Sequence, residues 1–274
     1  MLEKRIGSIG FILLEDFDFA FLDAYGVPFV VFDQQDSGNL CFGVEKDGKR
    51  LFLKMAGAHT TRMHGTAEQA IERMRRLGKV YEDLAHPVLI PLIEHREIPG
   101  GYLQVYQWFD GVCMGKQYGS HERFLALPVP EKLDIYRHIL DFHVAVVERG
   151  YTAIDFYDAC LLYDFDARTV RICDIEMYQK GPVPNQVGRM PGSTRYMSPE
   201  EFTMGATVDE LSNVYCMGAA AFNLLGGVMD HSYEKWTASR ELFDVAVKAA
   251  SQEREDRYPT LRAYAMDWDR ALRA

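Results

Sequence analysis

The apolar pattern changes character near Gly111, and that change constrains the fold more than any other feature of the chain. Before it, short strand-like runs alternate with turn signals: Val27 to Phe32, Leu40 to Val44, then Arg50 to Met55 after Lys46-Asp47-Gly48. Thr66-Ala67-Glu68-Gln69 reads as a capping box. Ala70, Ile71, Met74, Leu77, Tyr81 and Leu84 follow at three- and four-residue steps, so one long helix is expected, stopping before His86-Pro87. Val88 to Ile93 and Tyr102 to Trp108 then read as two more strands around Pro99-Gly100-Gly101.

Beyond Gly111 the pattern is mostly helical. Leu133, Tyr136, Leu140, Val144 and Val147 mark a helix that Gly150 ends, because glycine adopts the left-handed conformation of a helix C-terminus without strain. Leu161 to Tyr163 and Val170 to Cys173 suit a hairpin around Asp166-Ala167-Arg168, and Val214 to Leu225 and Arg240 to Ala250 suit further helices. The expected class is α+β: a small antiparallel sheet with one long helix, then a larger, mostly helical part. Residues 1 to 26 are expected to form an extension, 27 to 109 the smaller lobe and 110 to 274 the larger, with no repeat or long linker.

A chain of 274 residues, 48% of them hydrophobic, can bury a substantial core, which argues against disorder. Its formal charge of −10 argues against a nucleic-acid footprint, and the short basic run at Arg73, Arg75 and Arg76 falls within a helical pattern, as a solvated face would. Five cysteines form no C-x-x-C pair, which suits a reducing compartment better than disulfides or zinc. The apolar patch Ile9 to Leu14 is too short to span a bilayer. The expectation is a cytoplasmic protein without membrane or nucleic-acid partners. None of the eight histidines has ligand spacing, and His143 on the long helix reads as a core-edge residue.

Phosphoryl transfer needs a cation on the phosphates, a carboxylate near the attacking hydroxyl and carboxylates for magnesium. Segments meeting those needs occur in order. Leu51-Phe52-Leu53-Lys54 resembles the third-strand lysine motif of protein kinases, although a lone strand lysine is ordinarily a surface residue. Gly150 to Leu162, with Asp155 at its centre, has the frame of the kinase catalytic loop, and Ile172-Cys173-Asp174-Ile175-Glu176, nineteen residues on from Asp155 at Asp174, resembles the magnesium-binding D-F-G segment. Gly192-Ser193-Thr194-Arg195-Tyr196-Met197-Ser198-Pro199-Glu200-Glu201-Phe202 is the most specific match, to the end of the activation segment through A-P-E. Asp209 to Gly218 resembles the family's next helix, and Asp256-Arg257-Tyr258 resembles the segment whose arginine pairs with the A-P-E glutamate, so an Arg257–Glu200 salt bridge is implied.

The resemblance runs from about Val27 to Leu272 and implies a bilobal, protein-kinase-like phosphotransferase using ATP and magnesium. It places Lys54 on the phosphates, Asp155 on the acceptor hydroxyl and Ser193 orienting Asp155. It makes Val105 the gatekeeper and sets the backbone of Tyr106, Gln107 and Trp108 against adenine. Gly38 and Asn39, in the loop Asp33 to Leu40, stand where the phosphate-covering loop is expected, or form only a turn. Asp174 is the implied magnesium ligand. Glu176 either joins it or pairs with an arginine, and Asp158 either reaches metal or caps the loop. The glutamate for Lys54 is Glu68 or Glu72, since the counted position is Leu77.

The departures are specific. Ala153-Ile154 replaces His-Arg, Tyr157 a lysine, Cys160 a metal-binding asparagine, Glu176 a glycine and Asn213 an aspartate. The activation segment favours a protein Ser/Thr acceptor, whereas D-x-E-x-Y, similar to choline and ethanolamine kinases, and the lost lysine favour a small-molecule hydroxyl. A second reading is a pseudokinase, a nucleotide-binding or regulatory module with little turnover.

Overall fold

The computed structural model describes residues 1 to 35 and 37 to 274, and Asp36 of the expected phosphate loop lies outside the described residues. The chain divides into two compact units, Met1–Asp110 and Gly111–Ala274.

The first unit begins with a hairpin of β1 (Leu2–Ile6) and β2 (Ile9–Leu13), followed by a 3-10 turn at Ala20–Ala24. Strands β3 (Val27–Phe32), β4 (Leu40–Lys46) and β5 (Lys49–Ala56), helix α1 (Ala67–Asp83), and strands β6 (Leu92–Ile98) and β7 (Gly101–Gln107) complete it. The five strands β3 to β7 form one antiparallel sheet in the order β3-β4-β5-β7-β6. Asp47 and Gly48 both take positive φ (52° and 73°) between the paired Lys46 and Lys49, the two-residue turn whose twist matches that of the strands it joins.

Alternation along the strands decides what each sheet face buries. Leu40, Phe42, Val44, Leu53, Met55, Leu103 and Val105 line one face. Phe11, Leu13 and Leu22 join that core, so the first 26 residues pack on the sheet. On the other face α1 sets Ala70 and Met74 against Ala56 and Tyr102. Its start is the expected capping box, with Thr66 Oγ1 accepting from Gln69 N and Gln69 Oε1 accepting from Thr66 N. One strand is displaced from its expected place. Val88, Leu89 and Ile90 are buried but lie outside the ladder, and pairing starts at Leu92. Pro87 and Pro91 flank that run, and neither has an N–H to give to a ladder.

The second unit contains β8 (Val112–Cys113), α2 (Ser120–Leu125), α3 (Val129–Glu148), β9 (Tyr151–Thr152), β10 (Leu161–Asp164), β11 (Thr169–Ile172), β12 (Gln179–Lys180), β13 (Val183–Pro184), β14 (Thr207–Val208), α4 (Glu210–Leu225), α5 (Arg240–Ala249) and α6 (Leu261–Leu272). α3 ends as expected, with Gly150 at φ 76°. α4 is buried from Ser212 to Leu225, the signature of a central helix with neighbours all round. The Tyr136 hydroxyl of α3 lies 2.7 Å from Met217 O on α4 and 2.6 Å from Tyr264 Oη on α6, tying the three helices together. α2 and α6 have no counterpart in the sequence expectations. His143, expected at the core edge, is fully buried, with its ring nitrogens 2.8 Å from Ile139 O and Tyr178 Oη. Among the described residues no helix is long and apolar enough to cross a membrane.

Candidate active site

Two surfaces, one in each unit, carry the residues singled out above. In the first unit Lys54 sits half-buried on the central strand β5, in register with Cys41 on β4 and Gln104 on β7. Residues directly opposite across a ladder share a face, so Lys54 and Gln104 lie on the side that α1 covers. Gln104 Nε2 donates to Met74 O of α1 at 2.8 Å, and the Tyr106 hydroxyl donates to Gln104 Oε1 at 2.7 Å. Tyr106 therefore shares the Lys54 face. Val105, the expected gatekeeper, pairs with Leu53 and is buried in the core on the opposite face, so its side chain does not line a site that Lys54 lines.

The other nucleotide candidates of this unit have neighbours of their own. Gln107 N donates to Pro91 O at 3.0 Å, which occupies its N–H but not its carbonyl. Trp108 packs edge-on against Phe29, with Nε1 donating to Asp110 Oδ1 at 3.1 Å. Gly38 (φ 75°) is buried: a Cβ there would stand 2.6 Å from Met63 Cα, and its carbonyl accepts from Thr60 Oγ1 at 2.9 Å. Its missing side chain thus lets Met63 close in, rather than a phosphate. Asn39 is buried too, at 3% exposure. Glu72 pairs with Arg75, which also meets Glu97, and Glu68 stands exposed in the first turn of α1.

In the second unit the loop after β9 is held from both sides. Asn213 of α4 accepts from Ala153 N at 3.0 Å and donates to Ala153 O at 2.7 Å, a two-way clamp that an aspartate could not complete. Phe156 is buried against His143 and Tyr196. Between those anchors Asp155 takes φ 64°, a left-handed conformation unusual outside glycine. The β10–β11 hairpin brings back the second acid: Leu161 pairs with Ile172, so Cys160 and Cys173 stand opposite each other just past the ladder, with Cys173 N donating to Cys160 O at 2.9 Å. Asp174 follows at φ 57°. The Cys160 thiol lies 3.5 Å from Asp155 O and 3.9 Å from Asp174 O, so one sulfur touches the backbone of both acids.

Burial raises the Asp155 carboxyl, the Asp174 charge raises it further and Arg189 opposes them, leaving it at about 6. A second carboxyl, absent from the sequence expectations, behaves alike. Glu201 is 6% exposed, and its Oε2 accepts from Ser198 N at 2.7 Å and Ser198 Oγ at 3.0 Å. Burial pushes it up to about 7, against those two hydrogen bonds.

The remaining expectations divide. The Arg257–Glu200 pair forms as expected at 2.7 Å, both residues buried, and Arg254 joins it at 2.5 Å. Asp158 is not available to a metal: Arg195 Nη1 and Nη2 grip its two oxygens at 2.8 Å each, and Arg195 also donates to Asn223 Oδ1 at 3.0 Å. Ser193 makes no hydrogen bond to Asp155 among the described residues. Its neighbour Gly192 makes the close approach, where a Cβ would lie 3.6 Å from Asp155 Oδ1. Asp174 is exposed, and Glu176 is half-buried in a turn. The positive φ at Asp174 breaks the two-residue alternation that was to place both on one side. Among the described residues no three His, Cys, Asp or Glu side chains gather as a metal site. Arg195 carries no spacing signal, since its partners Asp158 and Asn223 are distant in sequence, whereas Ser198 and Glu201 stand at the three-residue spacing of a capping box, a signal the sequence does offer.

Searches against protein-family models and against curated proteins find no match for this chain.

Proposed function

We propose that this chain is a bilobal, protein-kinase-like phosphotransferase that moves the terminal phosphoryl group of ATP to a hydroxyl acceptor with magnesium. The observation that carries this reading is the meeting of Asp155 and Asp174 around Cys160, two acids nineteen residues apart in sequence. Asp155, ionised above pH about 6, accepts the hydroxyl proton as the acceptor oxygen attacks the phosphorus and the bond to the leaving nucleoside diphosphate breaks. The clamp from Asn213 holds that carboxylate in place. Lys54 is the candidate phosphate cation. Magnesium fits a site with few protein ligands, because it binds one or two carboxylates and completes its shell with phosphate and water. Asp174 would hold it, and bound there it would neutralise phosphate charge.

A second reading has a specific basis. Phe52 stands where the lysine motif has alanine, its ring 5.9 Å from Phe32 and 6.3 Å from Tyr106 between centroids, and a buried thiol replaces the metal-binding asparagine. Those changes favour a nucleotide-binding module without turnover. Transfer of labelled phosphate from ATP to serine and threonine peptides, amino alcohols and aminoglycosides separates the two. We expect turnover that Asp155→Asn lowers by about a hundredfold or more while ATP affinity is kept. Undiminished transfer by that variant would overturn the assignment of the base, and binding without transfer to any acceptor would select the module.

A further inference from the structure

Arg189 stands apart from the other arginines around this site. Arg195 meets Asp158, and Arg254 and Arg257 meet Glu200, whereas Arg189 has no carboxylate partner among the described residues. Its exposed side chain donates only to backbone, Nη1 to Met190 O at 3.3 Å and Nη2 to Gly192 O at 3.0 Å. A guanidinium has five N–H donors, so three remain for a ligand.

The second of those bonds sets where the charge stands. Gly192 is the residue lying against Asp155 Oδ1, so the guanidinium and the carboxylate flank one glycine without forming an ion pair. The charge is nonetheless felt at Asp155, where it works against the effect of burial. Tyr157, which replaces the lysine of the kinase-like loop, can bring no positive charge there, and its phenol, raised by burial, stays neutral. Arg189 is therefore a local candidate for the cation of a site that must hold transferring phosphate or a charged acceptor. Guanidinium groups bind phosphate and carboxylate oxygens in pairs, through parallel N–H donors.

We propose that Arg189 is an oxyanion-binding residue of the second unit, holding a phosphate or carboxylate group beside Asp155 in place of the cation that Tyr157 does not supply. The inference deepens the phosphotransferase reading and rests on it for the source of the anion: the terminal phosphate of the nucleotide, or an acidic group next to the acceptor hydroxyl.

Inorganic phosphate is the first probe, titrated into the full chain by calorimetry. We expect Arg189→Gln to weaken it by about tenfold or more, Arg189→Lys to restore part of that loss, and Arg168→Gln, at the exposed hairpin turn, to leave it unchanged. Equal phosphate affinity in wild type and Arg189→Gln overturns the proposal. Should that variant fail to fold, carbon NMR of Asp155 in the wild type decides: bound phosphate must raise its titration midpoint, and an unmoved midpoint overturns the proposal equally. Two further arms name the source. Loss of ATP but not ADP affinity in Arg189→Gln assigns the guanidinium to the terminal phosphate. Unchanged nucleotide affinity, with a selective loss of transfer to acid-flanked serine peptides, assigns it to the acceptor. If no nucleotide binds either protein, the phosphotransferase reading fails, and the phosphate titration still decides the role of Arg189.

Discussion

Asp155 and Glu201 both carry carboxyls raised by burial, and the two make different predictions. On the phosphotransferase proposal Asp155 is the base and works only when ionised, so kcat/KM should fall on the acid side with a midpoint near 6, about tenfold per pH unit below it. A rate profile flat from pH 5 to 8 would remove Asp155 from that role. Glu201 bears on stability. Its carboxyl titrates near 7 in the folded chain against about 4.5 when solvated, so between those values the folded state binds more protons than the unfolded one. The stabilisation is complete below pH 4.5 and lost as pH rises through 7. Asp155 works in the same direction, from 3.8 to about 6. Urea unfolding at pH 5 and pH 8 should show the wild type weaker at pH 8, with a smaller gap in Glu201→Gln, whose amide oxygen can still accept from Ser198. An unchanged gap would mean that Glu201 is ionised throughout.

At the scale of elements, α4 does more than fill the core, because it holds the loop that carries Asp155. Its Asn213 both donates to and accepts from Ala153, and Asn213 is 2% exposed, so no water replaces a lost bond. Asn213→Asp keeps one acceptor, loses the donor to Ala153 O and brings in a buried charge. We expect a loss of about 1–3 kcal/mol in unfolding free energy, measured by denaturant titration, with a larger fall in activity than in nucleotide affinity. Wild-type stability in this variant would show that the clamp contributes nothing. A similar cross-link joins Arg195 to Asp158: it fastens the segment after Gly192 to the turn after Asp155, and so fixes which residue passes over the carboxylate.

For the whole molecule, the phosphotransferase reading makes a prediction that does not depend on the acceptor. A ligand that binds only the folded chain stabilises it by about 2.7 kcal/mol at a hundred times its Kd. For a chain of this length that corresponds to a Tm increase on the order of 5 °C. Thermal melting should show such an increase with ATP and magnesium, a smaller one with ATP alone, and most of the difference removed by Asp174→Asn. No shift under either condition would exclude both the enzyme and the nucleotide-binding module.

Much of this protein was legible in its letters where the physics is local. The capping box at Thr66, the Asp47-Gly48 turn, Gly150 at the end of α3 and the hairpin around Asp166 are each set by a few neighbouring residues, and each stands where the sequence puts it. The Arg257–Glu200 pair was legible for another reason, since two quoted motifs carry its halves. What the sequence could not decide is which distant groups meet. Val105 faces away from Lys54 because strand register sets parity, and register is a relation between strands. Asp158 is engaged by Arg195, and the missing Cβ of Gly38 makes room for Met63, neither of which any spacing records. Local conformation follows from nearby side chains, whereas the partner of a charge or the neighbour of a glycine exists only once packing has brought remote segments together.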